Sequence, residues 1–178
     1  NDALKWKVGS MQKILGEVLE ENRELAKKGR VASYIPALAK ANPDHLGICI
    51  AEIDGNTYKA GDCDVKFTIQ SISKVIALML ALMDNGEKVF EKVGREGTED
   101  PFNTLYKLDL PYIDKPANPM INAGAIATTA QIKGDKAGRI LELIRNITGN
   151  SSIDYSREVY LSEKETGEKN KAIAHLMK

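Results

Sequence analysis

Residues 70–74 read Gln70-Ser71-Ile72-Ser73-Lys74, and the apolar run 75–83 follows at once, ended by Asn85-Gly86. A helix that is apolar nearly all round is a core element, not an amphipathic surface helix, and Asn-Gly is a good helix stop. The expected element is a buried helix over 71–84 that opens on a serine. Residues i and i+3 of a helix share one face about a turn apart. Ser71 and Lys74 are therefore expected within hydrogen-bond reach, near the positive end of the helix dipole. Serine needs such a neighbour, because its own hydroxyl is scarcely ionised at neutral pH. A lysine partly desolvated by the apolar run gives up its proton more readily and can act as base. This is the Ser-x-x-Lys device of serine acyl-transfer enzymes. A second match, Ser10-Met11-Gln12-Lys13, lies in a charged amphipathic stretch and is read as coincidence.

Outward from that helix, the chain reads as helices, a hairpin, then more helices. Residues 4–28 have Ile14, Val18 and Leu19 at helical spacing among Glu and Lys, with Gly29 as a stop. A turn and a short helix are expected over 31–41. Residues 47–53 are strand-like, Asp54-Gly55 is a hairpin turn signal, and 56–60 return. Residues 67–69 are a short apolar lead into Ser71. Residues 87–109 are mixed and broken by glycines, and 111–119 are a proline-rich loop. Residues 120–132, rich in Ala, Gly and Thr, suggest a helix packed closely on a neighbour. Residues 135–148 read as an amphipathic helix followed by Gly149, and Ser162 with Glu165 reads as a capping box for a last helix. The fold class is mixed α+β. A lone two-stranded hairpin is marginal, so its sheet is expected to be incomplete within these residues.

Composition narrows the function. The 178 residues suffice for one domain with a core. Basic and acidic residues balance at 25 each, which gives no footing for nucleic acid or an anionic membrane. The longest apolar run is far short of the ~20 residues of a membrane span. Cys49 and Cys63 have no metal-type spacing and are read as idle or buried thiols. His45 and His175 lack a spacing partner and are read as structural, so no metal site is expected. The sequons at Asn146 and Asn150 carry no weight without a leader. A reducing cytoplasm is the expected compartment, although the sequence opens at Asn1 rather than Met.

Four segments, in order, resemble the serine-dependent glutaminase family, a branch of the β-lactamase-like, DD-peptidase-like superfamily. They are 29–39 (Gly-Arg-Val-Ala-Ser-Tyr-Ile-Pro-Ala-Leu-Ala), 67–74 (Phe-Thr-Ile-Gln-Ser-Ile-Ser-Lys), 118–126 (Asn-Pro-Met-Ile-Asn-Ala-Gly-Ala-Ile) and 162–170 (Ser-Glu-Lys-Glu-Thr-Gly-Glu-Lys-Asn). Pro101-Phe102-Asn103-Thr104 is similar to a fifth, with Gly97-Thr98 in place of the usual Pro-Ser. The resemblance implies an antiparallel sheet with flanking helices plus a helical cluster. It implies Ser71 as nucleophile and Lys74 as its basic partner. Asn122 and Asn170 would hydrogen-bond the substrate, Glu163 would hold its α-ammonium group, and Tyr34 would line the pocket. The residue types suit glutamine, a zwitterion with a primary amide tail: a carboxylate for the ammonium, amides and a hydroxyl for the rest. Glu163 and Asn170 are seven apart, so on one helix they would share a face.

The resemblance implies hydrolysis of the side-chain amide of L-glutamine through a glutamyl-serine ester, with no metal or organic cofactor, in a homodimer or homotetramer. Family members are longer. The resemblance places two further tyrosines and a second oxyanion-hole N–H after residue 178, so residues 1–178 read as one glutaminase domain without its C-terminal part. Two other readings stand beside it. One is a β-lactamase or penicillin-binding enzyme, which needs a hydroxyl two residues before the asparagine, where Met120 stands. The other is an inactive fragment that serves only in assembly.

Overall fold

The computed structural model describes residues 2–99, 101–103 and 115–177. Thr104 of the fifth segment, and residues 104–114 of the mixed and proline-rich stretches, lie outside the described residues. The chain forms two compact units, Asn1–Phe67 and Thr68–Lys178.

In the first unit a single helix, α1 (Asp2–Ala26), packs on a hairpin of β1 (Gly47–Ala51) and β2 (Thr57–Gly61). The strands are antiparallel, with Gly47 opposite Gly61 and Ile50 opposite Tyr58. Leu15 and Leu19, four residues apart and so on one face of α1, are buried together with Tyr58 and Ile35. Burying each such side chain stabilises by about 1.5–3 kcal/mol. The Gln12 carboxamide donates to the Lys59 carbonyl (2.6 Å) and accepts from the Lys59 N–H (3.3 Å), so α1 satisfies backbone groups of β2 that the hairpin leaves open. Gly61 has φ +72°, and a Cβ there would sit 2.7 Å from Leu19 Cδ1. Only glycine lets helix and strand approach this closely. Among the described residues the sheet has these two strands and no third, in keeping with the incomplete sheet expected.

The second unit is helical. A 3₁₀ turn (Gln70–Ile72) leads into α2 (Ser73–Asn85), which therefore begins two residues later than the apolar pattern suggests. Around α2 lie α3 (Val89–Lys92), α4 (Asn122–Ala130) and α5 (Lys136–Thr148). Ala77, Leu80 and Ala81 join Val89, Val93 and Ile132 in one buried cluster. The expectation that α2 is buried on every side does not hold. Val75, Met79 and Met83 are 49%, 40% and 70% exposed, because its described partners meet only the face carrying Ala77, Leu80 and Ala81.

The Asp135 side chain caps α5 by accepting from the Gly138 N–H, and Gly149 closes it in the left-handed conformation. Arg139 donates two bonds to the Asp84 carboxylate (2.6 and 2.9 Å), and the Lys133 N–H adds a third (2.8 Å). This paired fork ties the end of α2 to α5.

The capping box expected at Ser162 and Glu165 is absent. The chain forms two helices there, α6 (Arg157–Thr166) and α7 (Glu168–Leu176), broken at Gly167. The true cap is Ser156, whose hydroxyl accepts from the Val159 N–H. Ser162 and Glu165 lie inside α6. Glu163 and Asn170 consequently sit on different helices and not on one shared face.

Candidate functional site

The site is built on the entry to α2. Gln70 has φ +43°, a left-handed conformation that side-chain-bearing residues seldom hold, and among the described residues it is the one non-glycine to do so. Such strain persists only where the surroundings impose it. Here the Gln70 side chain donates to Thr68 Oγ1 (3.0 Å), and its carbonyl accepts from the Ser73 hydroxyl (2.7 Å). Ser71 follows on the 3₁₀ turn, outside the ladder of α2, and is exposed. Its hydroxyl has no hydrogen-bond partner among the described residues.

Lys74 lies in the first turn of α2 and is half-buried. Its Nζ donates to the Met120 carbonyl (2.8 Å) and to Asn122 Oδ1 (2.8 Å). The hydrogen bond to Ser71 anticipated from the i, i+3 spacing is not made. The backbone between them is helical at Ile72 and Ser73, but two carbonyl acceptors occupy the amine instead. Burial lowers the Lys74 pKa below its ordinary value of 10.5. The Phe102 ring stands 5.4 Å from Nζ, a cation–π distance.

Asn122 is the first residue of α4, not its cap, which is Ile121. Its backbone N–H donates to the Phe102 carbonyl (2.8 Å). With Oδ1 held by Lys74, its Nδ2 donates to Asn170 Oδ1 on α7 (3.1 Å). Lys74, Asn122 and Asn170 thus form one hydrogen-bonded chain across α2, α4 and α7. A neutral amine has two N–H groups and one lone pair. The two carbonyl oxygens match those two N–H groups and leave the lone pair uncommitted.

Glu163, on α6, is half-buried, and its carboxylate has no hydrogen-bond or ion-pair partner among the described residues. Tyr34 belongs to the first unit and is 69% exposed. The second Ser-x-x-Lys match stands on the outside of α1, where Lys13 pairs with Glu17 at 3.6 Å and is 78% exposed. His45 and His175 are exposed. Cys49 is exposed rather than buried, and the Cys63 thiol, half-buried, donates to the Ile48 and Ala60 carbonyls. Among the described residues no cluster of His, Cys, Asp and Glu suits a metal ion, and no helix is long and apolar enough to cross a membrane.

Three contributors lie within the quoted segments but are not among the site residues expected from sequence: the Met120 carbonyl, the Phe102 ring, and Asn118, which shapes the 118–121 turn. Asn118-Pro119 is a turn signal, legible as a loop but not as part of a site.

The family model described as Glutaminase matches residues 29–178. Glutaminase 2 of Clostridium perfringens is 52% identical over 173 residues, covering 94% of this chain and 57% of its own length. The crystal structure of a probable glutaminase of Bacillus subtilis superposes with a TM-score of 0.83 at 34% identity, over 94% of this chain and 52% of that one. A covalent complex of a Bacillus subtilis glutaminase with 5-oxo-L-norleucine, formed by reaction with 6-diazo-5-oxo-L-norleucine, superposes at 0.73 and 35% identity, over 90% of this chain and 50% of that one. The mixed α+β arrangement is that of the β-lactamase-like fold these enzymes share. The chain belongs to the glutaminase family. It spans a little over half the length of the curated relatives it matches.

Proposed function

We propose that this chain carries the nucleophile and its base for hydrolysis of L-glutamine to L-glutamate and ammonia. The observation that carries the reading is Lys74: an amine of lowered pKa, held by two carbonyl oxygens, one helical turn after an exposed serine on a strained turn. Ser71 Oγ attacks the side-chain amide carbon while its proton passes to Lys74 Nζ. That proton then goes to the departing nitrogen, which leaves as ammonia, and a glutamyl ester remains on Ser71. Water, deprotonated by Lys74, cleaves the ester, releases glutamate and restores the serine hydroxyl. The chemistry needs no cofactor, since general base and nucleophile are both side chains.

Glu163, half-buried and unpaired among the described residues, suits the substrate's α-ammonium group. Asn170 and Asn122 present amides to its polar tail; a role for Tyr34 rests on the family resemblance alone. Residues 1–178 read as a glutaminase domain, in a cytoplasmic homodimer or homotetramer. A Bacillus relative that reacts covalently with a glutamine-like diazoketone supports a nucleophile in this family's site.

The test is ammonia release from L-glutamine, with Ser71→Ala as the blank, together with peptide mapping after 6-diazo-5-oxo-L-norleucine treatment. Release lost in Ser71→Ala, and label on the Ser71 peptide, are expected. Release unchanged in Ser71→Ala, or label on another residue, would overturn the mechanism.

A further inference from the structure

We propose that Asn118 is a positioning residue for Lys74: its side chain folds the 118–121 loop so that the Met120 carbonyl is presented to the lysine amine. The inference rests on the reading of Lys74 as the base and adds the device that aims it. Asn118 Oδ1 accepts from the backbone N–H of Met120 (2.9 Å) and of Ile121 (3.2 Å). Its Nδ2 donates to the Glu96 carbonyl (2.7 Å). One carboxamide therefore closes an Asx turn on one side and anchors it to a second stretch of backbone on the other. The anchor is itself fixed, because the Gly94 N–H donates to the Pro116 carbonyl (2.7 Å) and the Glu96 N–H to the Ala117 carbonyl (3.0 Å).

The consequence falls on Met120. The Ile121 N–H of the Met120–Ile121 peptide is turned inward to Asn118, so in the trans peptide the Met120 carbonyl on the opposite edge reaches Lys74 Nζ at 2.8 Å. The opposite wall of the loop is equally tight: a Cβ on Gly124 would stand 1.7 Å from the Asn118 carbonyl oxygen, so the loop rests directly on α4. Asn118 itself has no hydrogen bond to Lys74. It acts through the Met120 peptide, as Asn122 acts directly.

The loss of Asn118 has a predictable sign at Lys74. A carbonyl that accepts from the amine stabilises the ammonium form more than the neutral one. Burial, which lowers the pKa, is the one cause of its displacement, with no charged side chain contributing. The charged residues on α7, Glu168, Lys169 and Lys171, are exposed, and Glu163 on α6 is half-buried. Withdrawing the Met120 carbonyl removes an acceptor that favours the ammonium form, so the lysine should titrate lower still.

The experiment is an NMR titration of Lys74 in the full chain, with carbon-13 at the lysine ε position, in the wild type, Asn118→Ala and Asn118→Asp. Asp keeps the oxygen that accepts both N–H groups and adds a negative charge. The result expected is a Lys74 pKa lower by about half a unit or more in Asn118→Ala, and one equal to or above the wild type in Asn118→Asp. A Lys74 titration unmoved or raised in a folded Asn118→Ala chain would overturn the proposal, as would an Asp variant that matches Ala. Should Asn118→Ala not fold, Asn118→Ser, with one hydroxyl for the same N–H groups, is read by the same criterion. The titration uses no substrate, so its outcome is separate from whether the chain releases ammonia. Where it does, Asn118→Ala should lower kcat ~10-fold with KM nearly unchanged.

Discussion

Lys74 Nζ and Asn122 Oδ1 are 2.8 Å apart, and the other end of the same carboxamide faces Asn170 Oδ1 at 3.1 Å. The order of donors fixes the orientation of Asn122. The ammonium form of lysine only donates, so the carboxamide turns its oxygen to Lys74 and its nitrogen to Asn170. Asn122→Asp keeps the shape and replaces a neutral acceptor with a carboxylate at hydrogen-bond distance from the amine. An opposite charge that close favours the ammonium form, by roughly 1–3 pKa units. Less of Lys74 is then in the neutral form at a given pH, so less of it can take the serine proton. Asn170 can rotate its own carboxamide to donate to the new carboxylate, so folding should survive. The expected outcome is a fall in kcat/KM for glutamine of about 100-fold at pH 7, partly recovered as pH rises, read from pH–rate profiles of the two proteins.

The wild-type pH dependence derives from the burial of Lys74. On the proposed mechanism the active form is the neutral amine, so activity should rise with pH through the Lys74 pKa, which lies below the ordinary 10.5. Lys74→Arg keeps the charge but never deprotonates in water, and should lose ~10²–10⁴ in kcat with no recovery at high pH. The stability link has its own sign. A base whose folded pKa is depressed binds fewer protons in the native state than in the unfolded one. Lys74 therefore weighs against folding below its folded pKa, and the weight is lifted as pH climbs from there to 10.5. Urea midpoints of wild type and Lys74→Met, compared across that window, should converge as pH rises.

Local chemistry made some of these features readable and hid others. The hairpin was legible because Asp54-Gly55 is a strong turn signal between alternating residues, and the strands formed within two residues of the expected bounds. The helix after Asp135 was legible for the same reason, since both of its ends carry their caps in the sequence. The exposed flank of α2 was not legible, because composition reports how apolar a helix is and not which faces find partners. Nor was the bend at Gln70, a residue type with no preference for positive φ, or the carbonyl acceptors that occupy Lys74 in place of Ser71. The Ser162–Glu165 pair imitated a capping box, while the real cap, Ser156, has Val159 where a box would carry glutamate. Of the candidate site, the residue types of Lys74, Asn122 and Asn170 were visible as motifs. Their linkage is made by side-chain hydrogen bonds, but the second hold on Lys74 is the Met120 carbonyl, and a backbone carbonyl has no signature in sequence.

The Asp84–Arg139 fork should make the second unit sensitive to acid. The two Arg139 bonds and the Lys133 N–H hold the Asp84 carboxyl down to about 2, against an ordinary 3.8. A carboxylate with a depressed folded pKa contributes stability that is fully present above its unfolded pKa and is lost as pH falls through the folded value. Its contribution should thus be intact above about pH 4 and fade between there and pH 2. Asp84→Asn removes the charge and one acceptor oxygen. It should lower the melting midpoint by roughly 2–6 °C at pH 7, with the gap to wild type narrowing as pH approaches 2. Calorimetric scans of both proteins over that range check it. A gap that stays constant with pH would assign the loss to packing alone.

Gly124 and Gly16 make a matched pair of helix glycines with opposite expectations. A Cβ on Gly124 would lie 1.7 Å from the Asn118 carbonyl oxygen and 2.7 Å from its carbon, both of them backbone atoms that cannot rotate away. A Cβ on Gly16, within α1, meets nothing within 4 Å. Alanine favours a helix interior over glycine by about 0.5–1 kcal/mol. At residue 16 that gain is unopposed, and Gly16→Ala should raise stability by this amount without altering activity. At residue 124 the same gain meets overpacking, which typically costs about 1–3 kcal/mol, so Gly124→Ala should be destabilising on balance. It should also cut ammonia release, because the clash is relieved by moving the 118–121 loop that presents the Met120 carbonyl to Lys74. Urea unfolding separates the two effects on stability, and the assay under conditions where both variants are folded separates those on activity. Equal activity in both variants would mean that the loop can shift without disturbing Lys74, and the geometry at Nζ would then owe more to Asn122 than to Met120.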